Sequence, residues 1–129
     1  MPSNASVTLD VRNFPSTGSD GYTNTTASNN AIYSYRYTGG SDNGGDVDFN
    51  GRGRVTLTVH LQSDPRYQIG NVGFTGDTNN QLTWLAENAP TTAVIQDVNT
   101  VVQNASYKIT VNDTTANCTV PCDPQINNK

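Results

Sequence analysis

The sequence predicts an all-β fold: one domain over residues 1–129, an antiparallel β-sandwich of immunoglobulin-like type with about seven to eight short strands. Three observations predict it. Apolar residues recur at every second position and almost never at helical spacing. Helix formers are scarce, with one Glu, two Lys and five Leu in 129 residues. Asp outnumbers Glu 10 to 1, and Asp, Asn and Gly gather between the alternating segments, where their side chains or backbone freedom favour turns. A small barrel is the structural alternative.

In chain order, Ser6 to Phe14 places Val7, Leu9 and Val11 on one face and Thr8, Asp10 and Arg12 on the other, a strand with one wet side. Ala31 to Thr38 is a tyrosine strand. Arg54 to Gln62 alternates most cleanly, with Val55, Leu57, Val59 and Leu61 opposite Thr56, Thr58 and His60. Tyr67 to Phe74 alternates until Gly70 interrupts it, which predicts a bulge. Gln81 to Ala86, Ala93 to Val98, Ser106 to Asn112 and Asn117 to Val120 complete the set. The run Thr92 to Gln103 could be drawn as a helical face, but its β-branched density predicts two short strands. Asn43-Gly44, Gly39-Gly40 and Asn50-Gly51 supply turns, as do Asp64-Pro65 and Asp123-Pro124. Two polar stretches exceed what a minimal sandwich needs, Pro15 to Asn30 and Gly39 to Gly53. The first is expected to hide an edge strand at Tyr22 to Thr26, and a binding site is expected in one of them.

Composition narrows the function classes. No apolar run approaches the roughly 20 residues of a spanning helix, so membrane insertion by a helix is not expected. The net charge is -4 and the five Arg and two Lys are scattered, which argues against nucleic acid as a partner. The start, Met1-Pro2-Ser3-Asn4, shows no signal-peptide pattern. The default expectation is therefore cytoplasmic, although a mature secreted form carrying an added Met would read the same. Five Asn-x-Ser/Thr triplets occur, close to the roughly four expected by chance from so much Asn, Ser and Thr, so they carry no signal for secretion.

Asp46-Val47-Asp48-Phe49-Asn50-Gly51 matches the first half of a calcium loop, in which alternate oxygen side chains converge on one cation. Leu57 stands where an EF-hand has its bidentate Glu, so Asp46, Asp48 and Asn50 are candidate Ca²⁺ ligands only in another loop context, beside a solvated-turn reading. Cys118 and Cys122 flank Thr-Val-Pro. They are free thiols or, if Pro121 makes a turn, a tight disulfide, because an extended strand would hold them too far apart to bridge. His60 is the only His and lacks a nucleophile motif, so it reads as a solvent-facing strand residue. Tyr33, Tyr35 and Tyr37 share one strand face. Buried, they extend the core; exposed, they form a platform for sugars or a neighbouring subunit. The opposite face offers only Ile32 as a core residue, which favours burial, and the three are carried as candidate ligand-binding residues.

The end of the chain, Cys122-Asp123-Pro124-Gln125-Ile126-Asn127-Asn128, resembles the Asp-Pro-Gln-Ile/Val-x-Asn terminus of the small bacterial DP-EP family of uncharacterised proteins. The order before it is similar: a Val-Thr-rich strand, a tyrosine strand, a Gly-rich loop, the strand Val55 to Leu61, then Gly73-Phe74. The resemblance implies a β-sandwich and no assigned activity.

Without a catalytic or cofactor signature, the expected role is contact. The first expectation is a non-enzymatic protein acting in self-association or structural and surface assembly, a homo-oligomer, since few Lys protect its sheet edges. The alternative is a carbohydrate-binding module with a glycan partner, assisted by calcium.

Overall fold

In the computed structural model, which describes residues 3–41, 44–85, 91–122 and 125–128, the alternating segments form two facing sheets with no helix among the described residues. The six-stranded sheet has the order β2 (Thr23–Thr26), β3 (Ile32–Gly39), β1 (Ala5–Arg12), β5 (Val55–Leu61), β8 (Thr92–Asp97), β7 (Leu82–Leu85). The second sheet is built around β9 (Gln103–Asp113). On one edge of β9 lies β6 (Tyr67–Thr75). The other edge is shared: β10 (Cys118–Cys122) runs along residues 109–113 and β11 (Gln125–Asn128) along residues 103–106. β11 in turn carries β4 (Val47–Phe49). The protein is an all-β sandwich.

Period two decides which residues meet inside. Val7, Leu9 and Val11 of β1 and Leu57 and Val59 of β5 share one core with Tyr107, Ile109 and Val111 of β9, all at most 2 % exposed. Each buried aliphatic side chain contributes about 1.5–3 kcal/mol.

Two pairings are parallel, β1 with β5 (Val7↔Val59) and β11 with β4 (Ile126↔Val47). β3 and β5 are linked through β4 in the other sheet, and β1 fills the place between them, antiparallel to β3 and hence parallel to β5.

Eleven strands are present among the described residues, more than the sequence predicts. The edge strand expected at Tyr22 to Thr26 is β2. The unexpected ones are β4 and β11, which bury Val47, Phe49 and Ile126 but are too short to show a period. Of the run Thr92 to Gln103, expected as two short strands, only Thr92–Asp97 is a strand: residues 98–102 are irregular, with Asn99 at a φ of 52°, and Gln103 begins the long strand β9. The register of β6 on β9 shifts between Ile69 and Asn71, the bulge expected at Gly70. A Cβ at Gly70 would come within 2.6 Å of the Asn112 side chain. Ala86, Asn43, Asp123 and Pro124, which the sequence places in a strand end or in turns, lie outside the described residues.

One side of the sandwich is closed. Ser28 N–H donates to Thr119 O and Thr119 N–H to Ser28 Oγ, both at 2.9 Å, joining the end of β2 to β10. On the opposite side β6 and β7 are both terminal strands. No helix among the described residues is long and apolar enough to cross a membrane.

Candidate functional site

The tyrosine strand is mostly core. Tyr33 and Tyr37 are 2 % and 5 % exposed, and each reaches the other sheet. Tyr33 donates its hydroxyl to Asp113 Oδ2 at 2.6 Å, with Cys118 Sγ 3.2 Å away. Tyr37 donates to Cys122 O at 3.0 Å and packs edge-on against Tyr107, centroids 6.0 Å apart. Neither ring is available as a stacking platform, because a hydroxyl buried this deeply needs a partner and finds it across the sandwich. Tyr35, between them, is half-buried and edge-on to Tyr37 at 5.9 Å and 83°. It alone of the three keeps surface toward solvent.

Asp46, Asp48 and Asn50 do not curl around a common point. Val47 and Phe49 turn inward at 1 % and 2 % exposure, so the three oxygen-bearing residues alternate along the other side of an extended segment. Such neighbours are spaced about 7 Å apart, whereas a calcium loop must converge. The D-x-D-x-N spacing therefore coincides with the one-sided alternation of strand β4. Among the described residues no group of three His, Cys, Asp or Glu stands together.

Cys118 and Cys122 are free thiols, both buried. Pro121 makes no turn; it sits within β10 opposite Thr110. Four extended residues separate the two Cα atoms by about 13 Å, beyond the reach of a bridge. His60 is exposed on β5, in register with Thr8 on one side and Thr92 on the other.

Sequence reading missed two clusters. The first fixes the polar stretch Pro15 to Asn30. Arg12 lies with its guanidinium 4.5 Å from the Phe14 ring centre and 3.5 Å from that of Tyr22, and pairs with Asp20 at 2.7 Å. The Ser16 hydroxyl and Arg12 hold the Asp20 carboxyl well below the ordinary range. Tyr22 donates its hydroxyl to Asp10, which pushes the phenol up. Arg12 Nε donates to Ser34 Oγ at 2.9 Å, and Ser34 Oγ donates to Phe14 O at 2.8 Å, so this segment lies over β3 and buries Ser34 on its outer face. The signal was the Arg-x-Phe and Gly-Tyr placement, legible only once the segment folds back.

The second cluster is Asp113, which accepts from Arg66 Nε and Nη2, Tyr33, Thr115 N and Ala116 N. Burial pulls its pKa up, but these donors outweigh burial and hold it at about 2. Burial and the bond to Asp113 push the Tyr33 phenol well above its usual value. A depression of about 370 Å³ opens beside it, lined by Asp113, Cys118, Ser28 and Thr119 among others. Both Asp113 oxygens already carry donors.

A smaller groove of about 210 Å³ brings together candidates from separate parts of the sequence: Tyr35 and Tyr37 of β3, and Asp46 ahead of β4. Thr23, Arg36, Gly21 and Gly44 complete it. The backbone on the Asp46 side is fixed by Ser41 N–H to Asp46 O at 2.8 Å and Gly45 N–H to Gly39 O at 3.2 Å. Comparison with protein-family models finds no match for this chain, and comparison with curated proteins finds none either.

Proposed function

We propose that the protein acts by contact and not by catalysis, associating with copies of itself through the edge of β6. The observation that carries this reading is the edge itself. β6 is nine residues long, contains no charged residue, and among the described residues pairs only with β9. The other terminal strands, β2, β7 and β4, have four, four and three residues. An uncharged row of backbone N–H and C=O groups is a template for a further strand, and lysines or prolines that would block it are missing from β6. The bulge at Gly70 twists the first part away, which leaves Asn71–Thr75 as the pairing segment. Val72 and Phe74 point inward there, and Asn71 and Thr75 are exposed.

Antiparallel pairing of two such segments about a two-fold axis is self-complementary and closes as a dimer. Five residues of edge bury little area, so the association is weak and dependent on concentration. The net charge of -4 on each copy opposes it, and added salt strengthens it. Light scattering after size exclusion, across a concentration series, reads this directly. Asn71→Lys with Gly73→Lys sets like charges across the edge, and position 73 has open space around a new Cβ. Dimer that grows with concentration in the parent and disappears in the double variant supports the reading. Monomer throughout, or dimer equally strong in both, overturns it.

A further inference from the structure

We infer that a second copy meets both terminal strands on the open side of the sandwich at once, β6 of one sheet and β7 of the other, with Phe74 and Trp84 forming an apolar seam between the copies. This rests on the association through β6 proposed above and extends it to a second strand and to named side chains. Symmetry supplies the first step. Two identical strands that pair antiparallel within one continuous sheet are related by an axis perpendicular to that sheet, since an axis along the strands would make the pair parallel. A perpendicular axis leaves the core-facing side of the sheet on the same side in both copies. The six-stranded sheets of the two copies then lie over the same face, each ending on this side in β7, which among the described residues pairs only with β8. β6 and β7 approach one another here. Pairing β6 with its counterpart therefore turns β7 toward its own counterpart as well.

The side chains agree with that arrangement. On the core side of the two strands, Val72 and Leu82 are closed off at 7 % exposure each. Phe74 and Trp84 pack on the same core but keep part of each ring uncovered. A strand added beyond β6 would cover what remains. With the pairing segment Asn71–Thr75 centred on Gly73, Phe74 stands opposite the partner's Val72 on the core side, and Asn71 stands opposite the partner's Thr75 on the wet side. Apolar meets apolar and polar meets polar, the matching by which cross-strand pairs stabilise a sheet.

The same observations select a second copy as the occupant. Neither β6 nor β7 contains a charged residue, so this side has no group by which a charged partner would be held. Another copy presents the same uncharged pair of strands, and the two-fold axis matches each strand to itself. The β6 edge alone falls short of the roughly 1,200 Å² that the smallest stable interfaces bury. β7 and the two rings contribute the apolar area that the edge lacks, because aromatic side chains carry the largest buried areas per residue.

Trp84 is the only tryptophan in the chain, so its fluorescence reads the seam directly. The full chain is followed over one concentration series by light scattering, by Trp84 emission and by acrylamide quenching. The expected result is an emission shift to the blue and a fall in quenching, both in step with the growth of dimer. A variant tests β7 apart from β6. Thr83 is exposed on the outer face of β7, in register with Gln96, and Thr83→Lys sets like charges across the two β7 edges without touching β6. It should weaken the dimer about tenfold, equivalent to about 1.4 kcal/mol, with circular dichroism and thermal unfolding of the monomer unchanged. Dimer that forms while Trp84 emission and quenching stay constant, or dimer as strong in Thr83→Lys as in the parent, overturns the seam and leaves the β6 edge standing. Monomer at every concentration overturns the edge reading and the seam with it.

Discussion

Arg66 grips Asp113 with two N–H···O bonds of 2.8 Å each, and the carboxylate it holds is fully buried while the guanidinium remains a quarter exposed. The pair ties the start of β6 to the end of β9, since Tyr67 and Asp113 are in register. Through Tyr33 it also ties β9 to β3 in the opposite sheet. One side chain therefore holds a hairpin end, a tight turn and the sheet-to-sheet contact.

Stability should fall in acid through this group. The folded-state pKa of Asp113 is held at about 2, below the ordinary aspartate value of 3.8. The unfolded chain takes up the proton first, so the contribution is fully present above about pH 4 and disappears as pH falls through about 2. The difference corresponds to about 2 kcal/mol as an order of magnitude. Urea unfolding between pH 2 and 6 checks the window. Asp113→Ala should cost about 3 kcal/mol at neutral pH, because Tyr33 and two backbone N–H groups lose their acceptor, and should flatten the acid dependence. An unchanged pH slope in that variant would assign the acid sensitivity to other carboxylates.

How far the fold was legible follows from length. β1, β5 and β9 each bury three or more residues at period two, so the pattern alone identifies them. β4 and β11 are short, and only their neighbours make them strands. The D-x-D-x-N run is ambiguous for the same reason: oxygen side chains at alternate positions are what both a calcium loop and a strand with one wet face look like. The groove was half legible. Tyr35 and Asp46 were singled out separately, but nothing local says that a glycine-rich crossing lays one beside the other. The Arg66–Asp113 pair, 47 residues apart, left no local trace at all.

Asn99 should be the most sensitive turn residue. Its φ is 52°, it is fully buried, and its Nδ2 donates to Gly51 O and Gly53 O at 3.0 and 3.1 Å. Asn99→Gly keeps the backbone conformation and loses the two bonds; Asn99→Ala loses both bonds and adds left-handed strain. The expected costs are about 2 kcal/mol for Gly and about 3 for Ala, read by thermal unfolding. Equal costs would show that the side-chain bonds, and not the backbone, decide the position.

Two glycines predict opposite outcomes for the same substitution. Gly45 has φ of 91°, and a Cβ there would stand 2.5 Å from Tyr37 Cβ and Cγ, so Gly45→Ala must displace a core ring. A loss of about 2 kcal/mol or more is expected. Gly73 has nothing within 4 Å of its added Cβ. Gly73→Ala should be neutral or stabilise by up to about 1 kcal/mol, through the restricted unfolded chain. Chemical denaturation of both variants beside the parent decides it, and a destabilised Gly73→Ala would contradict the open space at that position.

The last strand should control one that precedes it by some eighty positions in the chain. β11 is inserted between β9 and β4, and among the described residues β4 pairs with nothing else. Ile126, 1 % exposed, is the buried side chain that seats β11, in register with Ala105 on one side and Val47 on the other. Ile126→Ala removes buried methyl groups at a global cost of about 2–4 kcal/mol. The local effect should be larger than the global one at β4, since losing β11 removes the partner of β4 as well. Hydrogen exchange is the discriminating measurement: the amides that Val47–Phe49 share with β11 should lose protection in Ile126→Ala well before those of β1 and β5. If protection at β4 instead falls in step with β1, the second sheet opens only by global unfolding, and β11 is simply part of the core.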